Sequence, residues 1–381
     1  MRDQRSVSRR GFIGGVAFGS LGLASQDLWA DQAGGAAPSA TQTSTAGYDA
    51  LVKIGNNENP WGPSPTVMAA MTNAFKYANR YGYPDGNLTQ ALAEHHGVNA
   101  NQILLGAGSG EILDVMGTTF LNGHKKVLSV DPTFAAVYTH ASGLNCEAIK
   151  LPLTGDYRQD IGAMVAAAKA HASDIGFVYV CNPNNPTGII VTAAEVCQLL
   201  DGLPAGMPVL IDEAYFHFVD DAQYETALPY VKAGRPVIVA RTFSKIAALA
   251  GMRLGYAVAP PALITRMKPN SVGSINALVK WAGVAALSDT ETSRRVKAET
   301  IAIRTGVTAE LKSLGFESLP SQTNFFMVHI KRDVVPVIDA FRTRGIVVGR
   351  PFPPMTQHLR VSIGTASEMA RFTAAFRQIF A

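Results

Sequence analysis

The chain has 381 residues, of which 47% are hydrophobic and 16% charged, with a formal net charge of +4. That length can bury one large core or two, and the composition is that of an ordinary globular protein rather than a disordered one. Residues 1–30 carry four arginines and two aspartates; the remaining charge is scattered without a lysine–arginine run, which excludes nucleic acid as an expected partner. Cys146, Cys181 and Cys197 show neither disulfide-framework nor metal-site spacing, so they read as free thiols and no metal is expected.

The N-terminus reads as a targeting segment. Arg2, Arg5, Arg9 and Arg10 form a basic stretch, "GFIGGVAFGSLGLA" is mildly apolar, and small residues continue to Ala40. The Arg9-Arg10 pair between Ser8 and Gly11-Phe12-Ile13 resembles the twin-arginine export signal. It implies export of the folded protein to the periplasm by the twin-arginine machinery. No apolar run is long enough to predict a membrane span. The expected division is residues 1–40 as signal and flexible lead-in, 41–80 as an N-terminal arm, 81–270 as a large domain and 271–381 as a small C-terminal domain.

From residue 85 the pattern alternates. "NLTQALAEHHGV" is helical, and "GSGEILDVMGTTFL" opens a helix from a glycine-rich turn. "KKVLSVDPTF", "DIGFVYVCNPNN", "MPVLIDEAYF" and "RPVIVARTFS" are short β-branched runs that end in polar residues, as strands buried on both faces do. Lys245 sits in a polar patch that runs into an Ala/Leu-rich stretch, read as helical, with Arg253 two turns further on. After Asn270 come long helices to about 313, then "NFFMVHI", a helix near 333–344, "GIVVG", "LRVSIG" and a last helix. The fold class is therefore α/β, a large domain around a mostly parallel sheet plus a smaller α+β C-terminal domain.

Ligands of an open parallel sheet bind beyond the carboxyl ends of its strands. Those ends carry 182–188, 212–215 and 242–245. A lysine (Lys245) and a carboxylate (Asp212), with Asn185 and Tyr215 nearby, meet the needs of pyridoxal 5'-phosphate: a Schiff-base amine, a partner for the pyridine nitrogen, and donors for the ring oxygen. "GAGSG" at 106–110 offers a helix N-terminus to a phosphate, with Ser244 and Arg253 to complete the cup. Singly, each feature has an ordinary explanation. Phe134 reads as core, Glu58 and Asp85 as solvated acids, and His95, His96 and His217 as solvated or core histidines. A nicotinamide-binding reading fails because no G-x-G-x-x-G follows the first strand.

"NPNNPTG", "DEAY", "SK" followed by "AGMRLGY", and "LRVSIG", in that order, resemble the fold-type-I aminotransferases of class I/II. "NNENPWGPSP" and "YPDG" narrow the resemblance to the histidinol-phosphate aminotransferase subgroup, over nearly all of the chain after Asn56. The resemblance implies a transaminase using pyridoxal 5'-phosphate, an amino donor and a 2-oxo acid such as 2-oxoglutarate. It makes Lys245 the Schiff-base and proton-transfer lysine, Asp212 the pyridinium partner, and Asn185 and Tyr215 ligands of the ring oxygen. Phe134 would stack on the ring. Ser109, Gly110, Thr242, Ser244 and Arg253 would hold the phosphate, with Tyr83 from the other subunit of a homodimer. Arg360 would bind the carboxylate of donor or acceptor.

Gly110 stands where the family often has an acid, and Gly349 is inserted before Arg350, the candidate reader of a substrate phosphate. With "PFPP" following, Gly349 is expected to re-aim Arg350, while Trp61 brings an aromatic wall to the substrate pocket. The preferred donor is accordingly expected to be a free amino acid with an apolar, aromatic or basic side chain, with histidinol phosphate second. The competing readings are a decarboxylase or lyase on the same scaffold, similar to threonine-phosphate decarboxylases, and an exported binding protein without chemistry.

Overall fold

The computed structural model describes residues 45–381; the Arg9-Arg10 segment lies outside the described residues. Its strands in chain order are β1 (Val52–Lys53), β2 (Ile103–Gly106), β3 (Lys126–Asp131), β4 (Ala148–Pro152), β5 (Ile175–Cys181), β6 (Val209–Asp212), β7 (Val237–Thr242), β8 (Gly255–Val258), β9 (Phe325–His329), β10 (Ile346–Val347) and β11 (His358–Ser362). Seven form one sheet in the order β2-β8-β7-β6-β5-β3-β4. From β4 to β7 every pairing is parallel, and β8 runs antiparallel to both β7 and β2.

The two-residue side-chain period explains the unbroken apolar runs. Ile175, Val178 and Val180 of β5, Val209 and Ile211 of β6, and Val237 and Val239 of β7 enter one hydrophobic cluster. Phe177, Tyr179, Leu210, Ile238 and Ala240 enter a second on the other face. Both faces are covered by helices, so the strands have no polar side to show.

A third cluster surrounds the small sheets β11–β9 and β1–β10. Packing groups the chain differently from the expected 270/271 division. Val52 and Ile54 from the N-terminal arm belong to this C-terminal cluster, because β1 pairs with β10. The Ala277–Ser288 helix instead joins the large core: its Val279 and Ala282 lie in the first cluster, and Gly283 lets it approach Leu254 and Leu88.

The stretch after Lys245 is not the expected helix. It is a series of turns with one 3₁₀ segment, Ala250–Met252, and left-handed residues at Ala248 (φ 57°) and Arg253 (φ 60°). A continuous helix would carry Arg253 about 12 Å along its axis from Lys245. The turns fold it back, so that its Nη2 donates to the Ala107 carbonyl at 3.2 Å.

Candidate active site

The carboxyl ends of β5, β6 and β7 open into a cavity of about 800 Å³, whose wall includes Ser109, Gly110, Phe134, Asn185, Asp212, Tyr215, Thr242, Ser244, Lys245, Arg253, Arg350 and Arg360. A shallower depression of about 570 Å³ at the opposite strand ends has only Lys125 and Arg266 as charged groups in its lining and lacks this constellation.

Asp212, the last residue of β6, is 2% exposed. Burial raises its carboxyl to about 6; the Tyr179 hydroxyl, the Ala214 amide and the Lys245 ammonium work against that rise. Tyr179 Oη donates to Oδ2 and the Ala214 N–H to Oδ1, each at 3.1 Å. Such a carboxylate, dry and held by two donors, is suited to a protonated ring nitrogen. On the other face of the sheet, Glu213 and Arg241 form a buried ion pair at 2.7 Å, which ties the loop after β6 to β7.

Lys245 faces the open side of the cavity, its Nζ 3.4 Å from the Asn56 carbonyl and 5.6 Å from the Tyr215 ring centre. Burial lowers its ammonium to about 8, with Arg360 and Arg253 pushing the same way and Glu58 and Asp212 opposing. A lysine so placed is neutral often enough at physiological pH to act as a nucleophile or base. Glu58 thus lies on the cavity wall, not in bulk solvent.

The phosphate cup is built by close approach. Gly108 precedes the Ser109–Phe120 helix at φ 81°, and a Cβ there would lie 2.3 Å from Arg253 Nη2. A Cβ on Gly255 would lie 2.3 Å from the Ser109 amide. The amides of the first helical turn therefore stay accessible beside a guanidinium and the Thr242–Ser244 hydroxyl pair, which are 2.9 Å apart. Backbone donors, a helix dipole and one fixed cation suit a phosphate. The cradle, Asp212 and Lys245 together fit pyridoxal phosphate.

At the cavity mouth Arg360 is 5% exposed; Nη1 donates to Asn185 Oδ1 at 2.8 Å and Nη2 to the Gly55 carbonyl at 2.6 Å. Burial lowers it to about 10, with Tyr215 opposing and Arg350 adding to the shift. Arg350 has not been turned out of the cavity as expected. Gly349 continues the β10 edge, its N–H donating to the Arg360 carbonyl at 2.9 Å, and this pairing delivers Arg350 to the same mouth. The guanidinium carbons of Arg350 and Arg360 lie 4.4 and 4.6 Å from the Phe352 ring centre.

One expected residue stands elsewhere. Trp61 does not line the cavity; it packs against the cluster of Ala214, Tyr215, Phe218 and Ile246, because Asn59 binds both the Trp61 amide and the Ile246 carbonyl. Tyr83, expected from the other subunit, is absent from the lining within one chain, and its hydroxyl donates to the Ile275 carbonyl at 2.7 Å. Tyr179, Asn57 and Ser362 belong to the site's polar network without having been singled out in sequence. Tyr179 was hidden in an apolar strand, and the other two lie 305 positions apart.

The family model described as aminotransferase class I and II matches residues 49–376. Histidinol-phosphate aminotransferase from Moorella thermoacetica is 38% identical over 345 residues, covering 88% of this chain and 87% of that protein. Its counterpart from Symbiobacterium thermophilum is 35% identical, with 87% and 91% covered. The solved histidinol-phosphate aminotransferase from Sinorhizobium meliloti, in complex with pyridoxal-5'-phosphate, gives a TM-score of 0.80 at 26% identity, covering 87% of this chain and 91% of that one.

Proposed function

The chain belongs to the class I and II aminotransferase family and is a pyridoxal-phosphate-dependent transaminase, and from that premise we propose the residue roles, the donor and the cellular setting. Lys245 would hold the cofactor through its Nζ, and the same amine, when free, would take the proton from the donor Cα. Bound pyridoxal phosphate supplies the electron sink that makes that proton removable. Asp212 keeps the ring nitrogen protonated, Asn185 and Tyr215 hold the ring oxygen, and Phe134 covers the ring. Ser109, Gly110, Thr242, Ser244 and Arg253 hold the phosphate, completed in a homodimer by the partner subunit's Tyr83.

The donor is a phosphate monoester amine of the histidinol phosphate type, and the acceptor a 2-oxo acid such as 2-oxoglutarate. One observation carries this choice over a free amino acid: Arg350 and Arg360 converge on Phe352 at the cavity mouth. Two guanidiniums suit a dianion better than a single carboxylate. The test compares kcat/KM for histidinol phosphate with a panel of free amino acids, in wild type and Arg350→Ala. A preference of about tenfold that vanishes in the variant supports the reading; a free amino acid preferred in both overturns it. Glutamate formation from 2-oxoglutarate, without carbon dioxide release, separates transfer from decarboxylation. Lys245→Ala should lose the borohydride-sensitive yellow chromophore.

Residues 1–40 direct twin-arginine export to the periplasm. A reporter fused after residues 1–45 should reach the periplasm, and its Arg9→Lys, Arg10→Lys form should stay in the cytoplasm. Export of the double-lysine form would refute this assignment.

A further inference from the structure

Tyr215 and Arg360 are joined by a ring of hydrogen bonds that closes through a strand. Arg360 can only donate, so Asn185 must present Oδ1 to it, at 2.8 Å, and turn its Nδ2 toward Tyr215 Oη, at 3.5 Å. On the other side the Asn57 backbone N–H donates to Ser362 Oγ at 2.8 Å. The Ser362 hydroxyl donates to Asn57 Oδ1, at 2.9 Å, and Asn57 Nδ2 donates to Tyr215 Oη at 3.0 Å. Ser362 and Arg360 are two residues apart on β11 and close the ring through the strand. Tyr215 Oη thus receives two amide donors. With both lone pairs engaged, its hydrogen is left to point into the cavity.

Asn57 is built for this place. It is 2% exposed, and it holds a left-handed backbone (φ 55°) that a non-glycine residue adopts at a cost. Its carbonyl is pinned by Asn324 Nδ2 at 3.0 Å. We infer that Asn57 and Ser362 are positioning residues that make Tyr215 an obligate donor toward the ring oxygen of the cofactor, coupling that donor to the strand that carries Arg360. The inference rests on the transaminase reading and adds residues which that reading does not use.

A donor on the ring oxygen stabilises its unshared negative charge, so losing the donor moves the visible-absorbance titration of the Lys245-linked cofactor to higher pH. The groups facing Tyr215 are Arg360 from β11, Lys245 from the turn after β7, Asp212 from β6 and Cys181 from β5. None is changed by Ser362→Ala or by Asn57→Gly; glycine keeps the left-handed backbone while deleting the amide. The experiment titrates the absorbance of the holoenzyme for wild type, Tyr215→Phe, Ser362→Ala and Asn57→Gly, with far-ultraviolet circular dichroism and cofactor stoichiometry as folding checks. Tyr215→Phe and both ring variants should shift upward, the latter by about one pH unit, the worth of one hydrogen bond. Their kcat should fall about tenfold with little change in donor KM. If Tyr215→Phe shifts while folded Ser362→Ala and Asn57→Gly do not, the inference is wrong and the transaminase assignment stands. If Tyr215→Phe itself leaves the titration unmoved, the placing of Tyr215 at the ring oxygen falls, and this inference with it.

Discussion

Tyr179→Phe removes one hydroxyl from the interior of the sheet and should make cofactor affinity pH-dependent. Tyr179 is fully buried and contributes one of the two protein donors to Asp212, at 3.1 Å. A hydrogen bond to a buried charge is worth about 1.5–3 kcal/mol, which is about one to two pH units of carboxyl titration. Asp212, already raised to about 6 by burial, would then titrate between about 7 and 8. Wild-type apoprotein presents mostly a carboxylate at pH 7; in the variant about half or more would be the acid, which must lose its proton before it can pair with a protonated ring. The dissociation constant for pyridoxal phosphate should rise roughly two- to tenfold at pH 7 and return to the wild-type value near pH 9, where both proteins are ionised. Equilibrium titration of apoprotein with cofactor, followed by absorbance from pH 6 to 9, reads this directly. An affinity loss of equal size at both ends of that range would refute the electrostatic reasoning and point to a packing defect instead.

Gly349→Ala would bring a Cβ to 2.8 Å from the Arg360 carbonyl and 2.9 Å from its Cβ; kcat/KM for the donor should fall about tenfold, with the cofactor spectrum unchanged. Glu213→Gln leaves the Arg241 charge buried without its counter-ion and should cost about 3–5 kcal/mol, read as a lower urea midpoint. Lys245 is lowered to about 8, so the rate at which apoprotein captures pyridoxal phosphate should climb with pH as the amine loses its proton and level off above 8. Arg360→Met, by removing a positive neighbour, should move that plateau to higher pH; an unmoved plateau contradicts the assigned cause.

Strands β3, β5, β6 and β7 were legible because two-sided burial writes itself as consecutive Val, Ile and Leu, and their polar ends as the DEAY and NPNNPTG runs; β4, half-exposed along its length, was not. Strands β2 (ILLG) and β8 (GYAV) carry a glycine each and lack the run of β-branched residues ending in a polar motif that marked β6. The Ala/Leu composition after Lys245 promised a helix, but the contact between Arg253 and the 106–109 turn demands left-handed residues that no local propensity announces. Gly349 looked like an insertion that would misdirect Arg350, since nothing in the sequence shows that its amide pairs with the Arg360 carbonyl. Asn57 and Ser362 were invisible for a related reason: their meaning lies in a contact between opposite ends of the chain.

Because β1 pairs with β10, and Ser362 donates its backbone N–H to the Ile54 carbonyl, the order of synthesis conflicts with the order of assembly. Residues 52–57 leave the ribosome early, with their apolar side chains and backbone groups lacking their partners. They must wait until residues 345–362 have emerged. The large sheet contains no strand from either group and can form in the meantime, but the Asn57–Ser362 and Gly55–Arg360 contacts cannot. A nascent chain truncated before Gly345 would therefore keep the Lys245 and Asp212 strands while lacking the cavity mouth. Completion of the catalytic cavity is thereby tied to the emergence of residues 345–362.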